Sequence, residues 1–338
     1  MNTRTLLAAL SLGLLVALPV QAQDSSPGIA DTAYVAGEYR VYRGDGSSAS
    51  LDDVVAAMGA HEVVFVGETH DDPTAHFLEN ELLTRAHAAY APRPIALSLE
   101  FFQRDVQPIL DEYLDGLITE KAFLKDSRPW PRYETDYRPM IEFSLENDLN
   151  VVAANAPRRY ANRVTLHGRE SLEDLSAEAK ATLAPLPYGE ASEAYRDQWI
   201  QSIMEVMEEE RMKCGVPIPE SELEASPSGG SAHGNMGGQL HSQVLWDATM
   251  AYWVTDQLVR HPDALVLHMV GSFHVARGTG IPEQIERYRP GTSSMIVMLR
   301  AVSDVDAFEP APAGEWGDFV IQTDESRTLE ELECRAQG

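Results

Sequence analysis

The sequence has few cysteines, few basic residues and few long apolar runs. Its 338 residues include 26 Lys and Arg against 53 Asp and Glu, which gives a formal net charge of −27 at pH 7. A surface this acidic repels phosphate groups, so nucleic acid and anionic lipid are not expected as partners. The apolar fraction of 44% is ordinary for a globular chain and is sufficient for a core.

The two cysteines, Cys214 and Cys334, lie too far apart in the sequence to indicate a metal-binding pair. In an oxidising compartment they can form a disulfide that ties the C-terminal segment to the middle of the chain. Two free thiols are the alternative, and the sequence leaves both open.

Only the N-terminal segment carries a long apolar stretch. Arg4, the apolar residues 6–20 and the small residue Ala22 are typical of a secretory signal peptide over residues 1–22. No cysteine lies near the cleavage site, so no lipoprotein anchor is expected. No later stretch is apolar for the roughly 18 residues of a membrane-spanning helix, so no transmembrane segment is expected. The mature chain is therefore predicted to be soluble and periplasmic.

Short apolar runs alternate with segments of helical periodicity along the rest of the chain. Strands are predicted at residues 63–66, 95–99, 151–154, 265–270 and 294–299. This alternation predicts an α/β fold with a mainly parallel central sheet flanked by helices. The predicted domain covers residues 51–300, with a helical insertion at about 160–214, a flexible Gly-rich lid loop at about 215–240, an N-terminal extension at 23–50 and a C-terminal tail at 301–338.

Polar side chains follow four of these predicted strands. They are Glu68 and His70, Glu100, Asn155, and His274. Ligands of parallel sheets bind at the carboxyl ends of the strands, so these side chains are expected to share one site. One Gly-x-x-His segment alone is a weak signal, but "GETH" and "GSFH" both follow an apolar run.

The chemistry of this predicted site has two alternatives. His70, Glu100 and His274 are able to form a divalent-metal site with an open position for water. The same groups can instead work without a metal, with a glutamate that orients a histidine general base.

Several separated motifs resemble the ChaN family of haem-binding uptake proteins, part of the Tiki/TraB/erythromycin-esterase superfamily. They are "VVFVGETHDDPTAH", "ALSLEFF", "YRPMIEFSLENDLNVVAANAPR", "QVLWDATMAYWV" and "HMVGSFHV". The resemblance implies an α/β fold with paired Gly-x-x-His motifs and a separate glutamate, which correspond to His70, His274 and Glu100, with Glu68 beside them. In the hydrolase branches it implies that such residues are catalytic, in some cases with a divalent metal.

Haem binding needs an axial ligand, an apolar slot and cations for the propionates. The sequence offers candidate ligand-binding residues in an aromatic, Arg-rich loop and after the third predicted strand: Trp130, Tyr137, Arg138, Asn155 and Arg158. Further ligand types occur at Tyr188, Tyr195, His233, Met236 and His241. The axial ligand and the oligomeric state stay open, a homodimer among the options.

The favoured hypothesis is a periplasmic haem-binding protein in haem or iron uptake, with haem or another small molecule as its ligand. The main alternative is a metal-dependent hydrolase or protease that uses Glu68, His70, Glu100 and His274. A third is an acidic binding protein whose ancestral site is inert.

Overall fold

The computed structural model describes residues 38–214, 236–308 and 317–328. These residues form one eight-stranded sheet with helices packed around it. Its strands are β1 (Tyr39–Arg43), β2 (Ser48–Ala49), β3 (Val63–Glu68), β4 (Ile95–Gln103), β5 (Asn150–Asn155), β6 (Leu265–Gly271), β7 (Ser294–Val302) and β8 (Phe319–Asp324). Their order across the sheet is β2-β1-β8-β7-β3-β6-β4-β5. All pairs from β8 to β5 are parallel, whereas β1 is antiparallel to both its neighbours. The predicted mainly parallel α/β sheet is confirmed.

Helices cover the sheet and form a separate layer beside it. They are α1 (Leu51–Met58), α2 (Pro73–Tyr90), α3 (Gln107–Leu114), α4 (Glu120–Ser127), α5 (Arg138–Glu146), α6 (Arg158–His167), α7 (Ala177–Lys180), α8 (Glu193–Cys214), α9 (Met236–Arg260) and α10 (Ile281–Tyr288). Single turns of 3-10 helix follow β4 and β6, and a π-helical turn spans Tyr133–Tyr137. Within the described residues, no helix has the length and apolarity that crossing a membrane requires.

The sheet separates two hydrophobic layers because successive side chains of a strand point to opposite faces. In β3, Val64 and Val66 join the core beneath α1, α2 and α5, whereas Val63 and Phe65 face the core beneath α9 and α10. Both faces of the central strands are covered, so these strands are apolar without interruption, as buried parallel strands usually are. A third cluster, around Tyr195 and Trp199, packs α6, α8 and α9 together.

Local sequence signals explain where several helices begin. Ser50 caps α1 and forms a capping box with Asp53. Asp72 caps α2, its carboxylate accepting a hydrogen bond from the Thr74 amide at 2.8 Å, with Pro73 in the first turn.

The sheet extends beyond the predicted domain limits of 51–300. β1 comes from the predicted N-terminal extension, and β8 comes from the predicted C-terminal tail. α9 begins at Met236, near the C-terminal end of the segment predicted as a loop at about 215–240. The predicted signal peptide, His233, Cys334 and the side chains of Cys214 and Met236 lie outside the described residues.

Candidate functional site

The sheet order brings the two Gly-x-x-His segments side by side. β6 lies between β3 and β4 and is parallel to both, with Glu68 paired in register with Gly271. The chain therefore turns off β3 and off β6 at the same edge of the sheet. His70 and His274 lie at this edge, and Glu100 enters from β4.

The first imidazole, His70, is held by a carboxylate of its own segment. Its Nδ1 hydrogen-bonds to Oε1 of Glu68, a fully buried side chain, whereas 46% of the His70 side chain is exposed. Partial burial opposes protonation of this ring, but the hydrogen bond and charge of Glu68 outweigh that effect and raise the pKa of His70 to about 9. His70 is thus anchored through Nδ1 and accessible to solvent, with Nε2 left for other partners.

The second imidazole, His274, is buried, and its partners come from other elements. Nδ1 contacts Oδ1 of Asp247 on α9, and Nε2 lies 3.5 Å from Oε1 of Glu100. Burial disfavours the charged ring, but the two carboxylates dominate and raise the pKa of His274 to about 10. His274 is therefore a protonated group between two buried acids.

Glu100 joins the two histidine segments. Its Oε2 accepts a hydrogen bond from the Gly271 amide at 2.7 Å. Burial alone would raise its pKa, but the charges of His274 and His70 lower the pKa of Glu100 to about 2. The prediction that its strand ends here is wrong, because β4 continues to Gln103 with irregular pairing to β5 after Leu99. Glu100 thus reaches the site from within a strand.

The glycine of each segment makes room for the other segment. A Cβ on Gly271 would lie 2.8 Å from Cε1 of His70, so the imidazole packs on bare backbone. A Cβ on Gly67 would lie 2.9 Å from a methyl of Val275 and 3.2 Å from Cα of Ser272. Each glycine therefore serves close approach, rather than an unusual backbone angle.

The predicted divalent-metal site at His70, Glu100 and His274 is not supported. Among the residues that the structure describes, no three His, Cys, Asp or Glu side chains are grouped to hold a metal ion. Nδ1 of each imidazole is already bound by a carboxylate, and Glu100 accepts a backbone hydrogen bond instead. The carboxylates and imidazoles form ion pairs with one another.

An open cleft of about 390 Å³ lies over this edge of the sheet. Besides the two Gly-x-x-His segments, it is lined by Trp199 and Ser202 of α8 and by Gln243 of α9. The Gln243 side-chain nitrogen is 3.4 Å from Nε2 of His274. Trp199 and Phe273 supply the aromatic surface, and no Arg or Lys belongs to the cleft's lining within the described part of the chain.

The predicted ligand-binding residues are dispersed. Trp130 is close to the cleft, with its ring centre 4.9 Å from that of His70 in an edge-on arrangement. Tyr137 is buried and stacks on Phe101 at 4.0 Å, and burial raises its pKa far above the ordinary value. Tyr137 is therefore a core residue in this structure.

The remaining candidates lie outside the lining of the cleft. Arg138 is paired with Glu120, with 2.5 Å between Nε and Oε1. The Arg158 amide donates to Oε1 of Gln103 at 3.0 Å, and its side chain is exposed. Asn155 is buried at the end of β5 and lies outside the lining of the cleft. Of the five candidates, only Trp130 contacts a residue of the cleft.

A buried network supports the His70 segment from behind. His76 Nε2 lies 3.1 Å from the carbonyl oxygen of His70, and Nδ1 lies 3.0 Å from Oε2 of Glu79. Arg132 donates to the same His70 carbonyl at 2.6 Å. The backbone of the exposed histidine is therefore fixed by two side chains.

Asp247 is the principal residue missing from the sequence prediction. It is an acidic residue within the apolar helix "QVLWDATMAYWV", where it is 1% exposed. An acid on the buried face of a helix is a signal that a partner must exist, because an unpaired buried charge is strongly unfavourable. Its partner His274 was not identifiable, since they meet only in the fold.

The fold and the paired turns define an α/β protein with two Gly-x-x-His segments at one sheet edge. A sequence model of the family described as "Haem-binding uptake, Tiki superfamily, ChaN" matches residues 54–285. The chain belongs to this family, as its motifs predicted.

Individual relatives are distant. The structure resembles that of ChaN of Campylobacter jejuni, described with cofacial haem binding, with a TM-score of 0.58, 16% identity, and coverage of 84% of this chain and 96% of that one. This similarity shows a shared fold. An erythromycin esterase covers 85% of this chain and is itself covered over 83%, at 12% identity and a TM-score of 0.41.

Among curated proteins, the chloroplastic RETICULATA-RELATED 5 of Arabidopsis thaliana is 24% identical over 70% of this chain. The match spans 31% of that protein's length.

Proposed function

We propose that this chain binds haem in the cleft between the two Gly-x-x-His segments, with His70 as the iron ligand. The observation that carries this proposal is the partly exposed imidazole of His70, anchored through Nδ1 beside an aromatic-lined cleft. Membership of a haem-binding uptake family supports the choice of ligand.

The Glu68–His70 pair suits iron binding. A carboxylate that is hydrogen-bonded to Nδ1 fixes the ring orientation and makes Nε2 a more basic ligand for a metal. Because the pKa of His70 is about 9, the ring must lose a proton before Nε2 can bind iron. Haem affinity should therefore increase as the pH is raised from 6 toward 9.

The rest of the cleft offers aromatic surface and neutral hydrogen-bond donors. Trp199 and Phe273 can contact the porphyrin plane, and Ser202, Ser272 and Gln243 can donate to propionates. Without Arg or Lys in the described lining, propionate binding is weaker than in a cation-lined pocket. This suits a carrier that releases its haem, in line with a role in uptake.

The cellular setting of the proposal rests on the N-terminal sequence. Residues 1–22 have the charge and apolar pattern of a signal peptide, so we place haem handling in the periplasm.

Hemin titration of the full-length protein tests the proposal. We expect saturable growth of a Soret band that is red-shifted from free hemin, and loss of this shift in His70→Ala. His167→Ala is a matched control, because His167 is an exposed histidine at the end of α6. A featureless titration, or an unchanged spectrum in His70→Ala, would contradict the proposal.

Acid–base hydrolysis without a metal is a second candidate function. Glu68, His70 and His274 line one cleft, and Glu100 and Asp247 contact His274 from outside its lining, which is an arrangement for proton transfer to and from a bound ester or amide. A panel of ester substrates with and without EDTA tests it. Turnover that survives EDTA and disappears in His70→Ala supports this candidate, and the absence of turnover across the panel opposes it.

A further inference from the structure

A second cavity, of about 470 Å³, lies at the β5 edge of the sheet. It is enclosed by α3, the start of β5 and the C-terminal half of α9. None of its lining residues belongs to the cleft with the two histidines. The cavity is therefore a separate candidate site.

Arg104 supplies a positive charge to this cavity. Its guanidinium carbon lies 3.5 Å from the centre of the Trp253 ring, and its NH1 group donates to Oε1 of Gln107 at 2.8 Å. No ion pair joins Arg104 to a carboxylate in the described part of the chain. Burial lowers the pKa of Arg104 to about 10, so the guanidinium remains charged at neutral pH.

The side-chain amide of Gln107 has no further capacity for hydrogen bonds to Arg104, because it is bonded to the edge strand β5 as a neighbouring strand would be. Its Oε1 accepts from the Ala153 amide at 2.7 Å, and its Nε2 donates to the Val151 carbonyl at 2.8 Å and to Asp111 at 2.7 Å. Arg104 lines the cavity, so its remaining N–H groups can donate to a ligand there.

Two further donors of the same cavity also lack partners. Trp253 is 8% exposed and Gln257 is 7% exposed. Neither Nε1 of Trp253 nor Nε2 of Gln257 has a hydrogen-bond partner among the described residues. Buried donors are rarely left unsatisfied, and the charge of Arg104 is balanced only by the nearby carboxylates of Asp111 and Asp256, with neither of which it forms a direct ion pair. A bound group rich in oxygen acceptors would satisfy all three.

The rim of the cavity is mainly acidic, in contrast to the positive charge of Arg104. Asp111, Asp115, Asp148 and Asp256 line it, and Arg260 pairs with Asp256 at 2.9 Å. A dianion would be repelled at this rim, whereas a ligand that also carries an amine would be attracted.

We propose that this cavity binds a small zwitterion of the amino-acid type. Its carboxylate meets Arg104, Trp253 Nε1 and Gln257 Nε2, and its amine faces the aspartates of the rim. The proposal concerns a site apart from the haem cleft and does not depend on haem binding.

Calorimetric titration of the full-length protein tests the proposal, with L-alanine, L-glutamate and L-lysine as zwitterionic probes. Cadaverine lacks the carboxylate and succinate lacks the amine, so these two compounds separate the contributions of each end. We expect at least one amino acid to bind with a Kd at or below about 1 mM, and both single-ended probes to bind at least about tenfold more weakly. If no amino acid binds, or if succinate binds as tightly, the proposal is wrong.

Variants locate the binding. Arg104→Met preserves side-chain length over Trp253 and should weaken amino-acid binding by about tenfold or more. Arg163→Met removes a guanidinium that pairs with Asp174 outside the lining of the cavity, and serves as the control with nearly unchanged binding. Equal binding by Arg104→Met and the wild type would overturn the assignment.

Trp253→Phe, which keeps an aromatic ring and removes Nε1, gives an independent test if Arg104→Met does not fold. It should lower the affinity for the amino acid several-fold. Hemin titration should be unaltered in all three variants.

Discussion

His70 and His274 occupy the same position in two Gly-x-x-His segments, but their surroundings differ. His70 is 46% exposed and takes its carboxylate partner, Glu68, from two residues earlier in the chain. His274 is 7% exposed and takes its partner, Asp247, from a helix. The same local motif therefore yields one imidazole that can meet a ligand and one that is built into the protein interior.

This difference in burial gives the two Gly-x-x-His segments different roles. The Asp247–His274–Glu100 series ties α9, the turn after β6 and β4 together, and its charges are buried. The Glu68–His70 pair presents its imidazole at the surface of the cleft. We therefore expect changes near His274 to alter mainly stability and changes near His70 to alter mainly ligand binding.

The largest expected effect is on the buried side. Asp247→Asn leaves protonated His274 with one carboxylate instead of two, and should lower the free energy of unfolding by about 3 kcal/mol. Glu68→Gln on the partly exposed pair is the matched control, with a smaller loss. Urea unfolding followed by circular dichroism measures both, and equal losses would show that the two pairs are energetically equivalent.

Substitution of each of the two glycines by alanine should have effects of intermediate size on stability. Gly67→Ala places a methyl against Val275 and the backbone of Ser272, so it should cost roughly 1–3 kcal/mol of unfolding free energy. Gly271→Ala meets a side chain, the partly exposed ring of His70, and not backbone, so it should cost less stability while weakening hemin binding. Thermal unfolding and hemin titration of both variants measure this, and the reverse ranking would refute the assignment of roles.

The smallest expected effect is a pH dependence. Both imidazoles hold protons more tightly in the folded chain than at their ordinary pKa of 6.5. Their contribution to stability is therefore complete below about pH 6.5 and is lost as the pH rises through about 9 for His70 and about 10 for His274. Glu100 acts in the opposite direction, because its contribution is present above pH 4.5 and is lost as the pH falls to about 2.

Unfolding measured from pH 5 to 10 should thus show declining stability above neutrality. His274→Gln should flatten this decline more than His70→Gln, because the exposed ring is better screened by solvent. An identical slope in both variants would contradict the difference in burial that separates the two histidines.

Much of the fold was predictable because buried parallel strands are short apolar runs and helix caps are local. The run at Val63 and the Asp72-Pro73 start of α2 are examples. β8 (Phe319–Asp324) lies within the predicted C-terminal tail and was not predicted, because its short sequence does not show which strands it joins. Its place in the sheet depends on pairing with β7 and β1.

Sequence predicted only those site residues whose positions are determined by the end of a strand. Glu68 is the last residue of β3, and the positions of His70 and His274 follow directly from the turns after β3 and β6. The position of Tyr137 was not predictable, since the aromatic loop that contains it folds inward onto Phe101. Asp247 lies outside every strand end, and its role depends on how α9 packs over the sheet.

The sheet order also constrains when the chain can fold during its synthesis. Val63 pairs with Val266 on one side and with Ser294 on the other, and Val41 pairs with Ile321. The ribosome makes these partners more than 200 residues after the first strands, so β3 has no strand neighbour, and β1 has only the two-residue strand β2, until most of the chain has emerged. Such non-local pairing slows folding. The central sheet therefore assembles only once β6, β7 and β8 have been synthesised.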